Sequence, residues 1–229
     1  MTENTILIFL RENSSAAFGL AGALGGALLS SATGWFGRKR DHDLRLWDKL
    51  LERRIRAHEQ VISIAQDLRT MLALGGMEPG GEVARTPKLL SSKEEFETWF
   101  AGEFLQAGSG STWLTTEVRR ELNFVQDYFV TFQHNLRNAP SEKYRSIGQI
   151  IRQDFIDLSS ELERKAFEFF ELDMFELRLS SLSDWHKYPR IDTEKRLRGT
   201  QLMLRLGEIV QLWEASGGRN QSHDQPATR

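Results

Sequence analysis

SSAAFGLAGALGGALLSSATGWFG, Ser14 to Gly37, carries no charged residue and is followed at once by Arg38, Lys39 and Arg40. As a helix rising about 1.5 Å per residue it measures roughly 36 Å, enough for a hydrocarbon core of about 30 Å with some tilt. This length without charge predicts a transmembrane helix over 14–37. The hydrophobicity behind that expectation is modest. Phe18, Leu20, Leu24, Leu28 and Leu29 each favour insertion by only about 0.3–0.6 kcal/mol, and most other positions are Gly, Ala or Ser.

The spacing of those small residues carries its own information. Gly22, Gly26, Ser30 and Gly34 recur every four positions, and Gly19, Ala23, Ala27 and Ser31 form a neighbouring row on the same side of a helix. Faces built this way let backbones approach closely, so the pattern predicts a homo-oligomer through this helix. The alternative is a Gly/Ala anchor that packs with nothing in particular. Only Arg11 precedes the stretch, whereas Arg38, Lys39, Arg40, Arg45 and Lys49 follow it. By the bias of basic residues toward the inner side, the N-terminus is expected outside the plasma (inner) membrane and the remainder in the cytoplasm. Trp35 and Phe36, with Arg38, Lys39 and Arg40, then form the membrane interface, and the bilayer is a partner. A cleaved signal peptide fits less well, because the leading region lacks net positive charge. Ile6 to Leu10 is too short to span; it either lies in the outer interface or lengthens the helix.

Composition narrows the rest. The chain has 229 residues, forty per cent of them hydrophobic, and fourteen phenylalanines, enough for one domain with a substantial core plus an appendage. A net charge of −2 argues against a general nucleic-acid coat. With no cysteine there is no disulfide framework, thiolate nucleophile or Cys-built zinc site. His42, His58, His134, His186 and His223 are scattered, and none stands at the Glu-x-x-His spacing of helical di-iron sites. No metal and no cofactor are expected.

Beyond the basic cluster, Asp41 to Leu74 contains neither Gly nor Pro, and Leu44, Trp47, Leu51, Ile55, His58, Ile62 and Ala65 recur at intervals of three and four. That is an amphipathic helix, stopped by Gly75 and Gly76. Gly75 to Leu90, with Pro79 and Pro87, reads as a surface loop. Ser92 followed by Glu95 is a capping box that opens a helix with Phe96, Trp99, Phe100 and Phe104 inward, ending at the turn Gly108 to Ser111. The next helix, Thr116 to Arg137, buries Val118, Leu122, Val125, Phe129, Phe132 and Leu136. From Ser141 a further segment, one helix or two, puts Tyr144, Ile147, Ile151, Phe155, Leu158 and Leu162 on one side. Phe167 to Leu179 is apolar on several faces and is expected as a central helix. Trp185, Tyr188 and Pro189 mark a break, after which Asp192 caps a final helix with Leu202, Leu206, Ile209 and Trp213 inward. A polar tail is expected to be disordered. The divisions are thus 1–13, membrane helix 14–37, juxtamembrane helix 38–74, loop 75–91, bundle 92–215 and tail 216–229. The fold class is all-α, one membrane helix followed by a cytoplasmic bundle of about five helices.

Candidate chemistry is sparse. Arg53 and His58 stand in an Arg-x4-His spacing that resembles the catalytic motif of HEPN-type ribonucleases, themselves helical bundles. The resemblance implies a histidine that moves protons and an arginine against the scissile phosphate. His58 also falls on the apolar stripe, where a packing role is the plainer reading. Asp41, His42 and Asp43 point apart on a helix and are read as capping and solvation rather than as metal ligands. The turn Gly108 to Ser111 lacks the Lys and the preceding strand of a phosphate-binding loop.

LRLWDKLLERRIRAHEQVI, Leu44 to Ile62, resembles a juxtamembrane helix in a loose group of bacterial single-pass, membrane-anchored helical proteins. Some members of that group are associated with phage defence or mobile elements. The resemblance implies no catalytic residue. The sequence alone therefore predicts a non-enzymatic interaction or sensor module that self-associates through Gly19, Gly22, Ala23, Gly26, Ala27, Ser30 and Gly34 and meets a protein partner, nucleic acid being disfavoured. The alternatives are a membrane-disrupting effector and a HEPN-like ribonuclease.

Overall fold

In the computed structural model, residues 14–77, 81, 83–174 and 190–217 are described, with side chains at 14–18, 20, 21, 32, 36–38, 173 and 215–217 excepted. Two compact units divide at Leu50 and Leu51. Helix α1, Ser14–Arg69, supplies all that is described of the first unit and enters the second at Leu51.

Among the described residues no helix is long and apolar enough to cross a membrane. The expected transmembrane helix over 14–37 is therefore corrected, together with the inner-membrane placement, the outside N-terminus and the cytoplasmic assignment. The physical reason lies in composition. An uncharged run of Gly, Ala and Ser is long, but it carries little transfer free energy per residue. Trp35 is exposed with the Lys39 ammonium 5.6 Å from its ring centroid, and Lys39 and Arg40 are exposed. The Phe36 and Arg38 side chains lie outside the described residues. So do the N-terminal segment 1–13, the Trp185–Pro189 break and the tail beyond 217.

The second unit contains a feature absent from the all-α expectation. Helix α1 ends at Arg69, where the Thr70 N–H and hydroxyl both bond the Gln66 carbonyl, at 3.0 and 2.9 Å. Strands β1, Met71–Met77, and β2, Val83–Pro87, then pair antiparallel, in place of the helix end and loop expected over 71–90. Met71, Leu72 and Ala73 face Pro87, Thr86 and Arg85 in regular register. The register breaks before Met77 meets Val83, with Gly75 and Gly76 in the break. Gly81 adopts φ 82°, which only a residue without Cβ takes at little cost. A four-residue apolar run such as MLAL has no period that separates strand from helix, which is why the hairpin escapes a sequence reading.

Helices follow in order: α2 Lys93–Trp99, a π-helical turn Phe100–Phe104, α3 Leu105–Ser109, α4 Thr116–Asn135, α5 Tyr144–Ile150 and α6 Arg152–Glu168 with a π-helical turn Phe169–Asp173. Ser92 caps α2 by accepting the Glu95 N–H at 3.1 Å, as the capping box requires. Thr115 caps α4 through the Val118 N–H at 3.5 Å. The segment after Ser141 is two helices, parted at Ile151. The expected single helix from Asp192 is three pieces: α7 Arg190–Arg198, α8 Gln201–Leu204 and α9 Leu206–Gly217.

The core is aromatic. Phe96, Phe104, Tyr128, Phe129, Phe132, Tyr144 and Phe155 are almost wholly buried, between α2, the turn after it, α4, α5 and α6. The hairpin is fastened to this core at one tight point. A Cβ on Gly148 of α5 would overlap the Thr86 hydroxyl and stand 3.2 Å from both the Leu90 Cβ and the Pro87 Cδ. Thr86, fully buried, uses that hydroxyl to donate to the Arg145 carbonyl at 3.1 Å. Gly148→Ala is expected to lower the unfolding free energy by about 1–3 kcal/mol, read by denaturant titration, because the strand must move away to admit one methyl. A wild-type midpoint would mean that the strand yields freely.

Candidate functional site

Three places in the chain combine functional side chains. The first is the part of α1 within the first unit. Here Leu24, Leu28, Leu29 and Trp35 are 57%, 71%, 70% and 56% exposed, and Leu44 and Leu46 are also exposed. A Cβ built on Gly19, Gly22, Gly26 or Gly34 meets nothing within 4 Å. Ala23, Ala27 and Ser30 are exposed alongside them, so every residue of the expected self-association face is open to solvent. Thr33 turns its hydroxyl back onto the Leu29 and Ser30 carbonyls, donating at 2.9 and 3.0 Å.

The second place is the Arg53 and His58 pair. His58 is fully buried. Its ring stacks on Phe169 with centroids 3.7 Å apart, and Nδ1 stands 2.7 Å from the Arg54 carbonyl. A carbonyl only accepts, so Nδ1 holds the ring proton and Nε2 accepts the Thr115 N–H at 3.4 Å. Arg53 is exposed, with its guanidinium 5.3 Å from the Trp113 ring centroid. It is the neighbouring Arg54, itself buried, that shares Phe169 with the histidine, at 4.9 Å. The two residues of the ribonuclease-like spacing are thus not brought to a common solvent-filled cleft, and both nitrogens of the imidazole are engaged. His42 and Asp43 are exposed neighbours on α1, their side chains 3.7 Å apart. Among the described residues no three metal-ligating side chains gather.

The third place was not visible as a site in the sequence. Asp154, on the inner face of α6, accepts the Tyr128 hydroxyl at 2.9 Å and the backbone N–H groups of Gln201 and Leu202 at 2.7 and 2.8 Å. One buried carboxylate thereby caps α8 from another helix and splits what periodicity reads as one C-terminal helix. Beside it Glu121 of α4, also buried, holds Arg196 of α7 in a bidentate pair at 2.5 and 2.6 Å, with that guanidinium 3.7 Å from the Phe124 ring centroid. Phe124, Asp154 and Arg196 border a cavity of about 420 Å³ whose wall also includes Asp157, Lys195 and Thr200. The available signal was positional. Glu121 and Asp154 interrupt otherwise apolar helix faces, and a buried acid must be answered by donors from elsewhere.

Burial pushes the Asp154 carboxyl above the ordinary aspartate range, with the two N–H donors and Tyr128 pulling it back. The Tyr128 hydroxyl is driven well above its usual value by burial and by Asp154. Comparison with family models, curated proteins and solved structures finds no match to this chain.

Two outcomes follow from this geometry. The folded protein holds a proton on Asp154 more tightly than the unfolded chain does. That contribution to stability is therefore full below the ordinary value of 3.8 and is lost as pH rises through the raised one. Asp154→Asn, which places an NH2 against a backbone N–H, is expected to cost about 1–3 kcal/mol at neutral pH, and the deficit should widen toward acid. Denaturant midpoints across pH read both quantities, and a deficit that narrows toward acid contradicts the assignment. His58→Ala is expected to cost about 2–4 kcal/mol through the emptied stack on Phe169, against less than about 0.5 kcal/mol for Arg53→Ala. Equal thermal shifts for the two variants would contradict the buried packing role.

Proposed function

We propose that the chain is a self-associating helical interaction module in which two copies meet along the first unit's part of α1. The observation that carries this reading is the coincidence, on one helix segment, of exposed Leu24, Leu28, Leu29 and Trp35 with open glycines at 19, 22, 26 and 34. Each large apolar side chain withdrawn from water contributes about 1.5–3 kcal/mol, so a helix that leaves several in solvent has a strong drive to pair. A row without Cβ atoms lets a second backbone come close enough for the flanking leucines to interdigitate, since the separation of helix axes is set by the side chains at the contact. A second copy suits this surface because a repeat of small residues every four positions is self-complementary: the patch that offers the groove also offers the ridge. The same reading assigns no chemistry to Arg53 and His58.

Sedimentation equilibrium on the full chain tests it. The wild-type chain is expected to associate, and replacing Gly22 and Gly26 together by Leu is expected to weaken association at least tenfold, about 1.4 kcal/mol. Circular dichroism should show the helix content retained. A monomeric wild-type chain, or association that the paired substitution leaves untouched, overturns the proposal.

A further inference from the structure

The cavity of about 420 Å³ beside Asp154 is walled by residues of α4, α6 and α7. Its charged groups divide into those already engaged and those still open. Arg196 is held by Glu121, and Asp154 accepts the Tyr128 hydroxyl and two backbone N–H groups. The side chains of Asp192 and Lys195 on α7, by contrast, enter no ion pair or hydrogen bond among the described residues. Asp157 of α6 accepts the Gln153 amide on one oxygen at 2.8 Å and keeps the other. One open ammonium and two open carboxylates therefore border a floor formed by the buried Phe124 and Leu158.

The placement of these charges is set by α7. Asp192 and Lys195 stand three residues apart, neighbours on one side of the helix with about 5–6 Å between Cβ atoms. The next residue, Arg196, is gripped by both oxygens of Glu121 and lies 3.7 Å from the Phe124 ring centroid. Rotating α7 would break that grip, so the open charges are presented before any ligand arrives, which lowers the cost of ordering on binding. A lone cation in the cavity would meet Lys195, and a lone anion would meet Asp157 and Asp192. A molecule with a positive and a negative group on neighbouring atoms answers all three, and the floor favours a hydrocarbon group attached to them. The volume is near the lower end of the range for small-molecule sites, which suits a molecule of one residue rather than a nucleotide. We propose that this cavity binds a free α-amino acid with an apolar side chain, its ammonium between Asp157 and Asp192, its carboxylate on Lys195 and its side chain over Phe124 and Leu158.

The probes are L-phenylalanine and two analogues that each lack one charge, 2-phenylethylamine and 3-phenylpropanoate, titrated calorimetrically into the full chain at fixed ionic strength. L-phenylalanine is expected to bind saturably at one site per chain with Kd below about 1 mM, and each analogue at least tenfold more weakly. Lys195→Gln and Asp192→Asn, both at exposed positions where folding is not at stake, are each expected to weaken L-phenylalanine at least tenfold. Lys195→Gln should also erase the preference for the amino acid over the amine, which a merely structural role for Lys195 would leave in place. Arg190→Gln makes the same change of charge on α7 at a residue that pairs with Glu194, and is expected to leave binding as it was. The proposal is overturned if L-phenylalanine binds more weakly than about 1 mM, if the amine or the acid binds as tightly as the amino acid, or if Arg190→Gln weakens binding as much as Lys195→Gln. Self-association, read separately by sedimentation, is independent of each of these outcomes.

Discussion

The Phe129 ring, wholly buried on α4, meets Trp99 at 5.4 Å, Phe96 at 5.5 Å and Phe155 at 5.6 Å between centroids, largely edge to face. Such pairs add about 0.5–1.5 kcal/mol each beyond the area they bury, and they fix direction as well as distance. Direction has polar consequences here. Trp99, turned edge-on to Phe129, carries its indole N–H to Asp67 of α1 at 3.2 Å, which ties α2 to the end of the long helix. Tyr128, the next residue along α4, delivers its hydroxyl to Asp154, and Asp154 in turn fixes α8. A single ring therefore orders helices that it does not touch, because each aromatic neighbour brings one polar atom that must be satisfied in the interior.

Elements whose information is local were legible in the sequence. The stripe Val118, Leu122, Val125, Phe129, Phe132 and Leu136 is buried throughout, and Phe96, Trp99, Phe100 and Phe104 face inward as their spacing indicates. The cap at Ser92 is where the capping box places it. What escaped is everything settled between segments far apart in the chain. The hairpin depends on Thr86 finding the one glycine of α5, 62 positions away, that leaves room for it. The new helix start at Gln201 depends on a carboxylate 47 residues upstream. Periodicity carries no trace of either, since each is a matter of which donor meets which acceptor.

The long helix teaches a different lesson. Absence of charge and presence of apolarity are separate properties, and the stretch from Ser14 to Gly37 has the first far more than the second. Gly and Ala count as non-polar in composition, yet they bring little surface to withdraw from water. What they do bring is closeness of approach, which is the property the proposed pairing of two copies would use. The Arg53 and His58 spacing is a similar case: two residue types at the right interval, on faces of the helix that separate them.

The buried acids have a consequence for the order of events during synthesis. Glu121 and Asp154 leave the ribosome well before Arg196, Gln201 and Leu202, across 75 residues in one case and 47 in the other. Until those partners emerge, the nascent helices α4 and α6 carry two carboxylates on faces otherwise ready to collapse, and such charges resist dehydration. The half-made bundle is thereby kept hydrated on the side where α7 and α8 belong. Arrival of the C-terminal residues neutralises Glu121 and caps a helix on Asp154 in the same step, so closure of the bundle waits for the translated chain rather than preceding it.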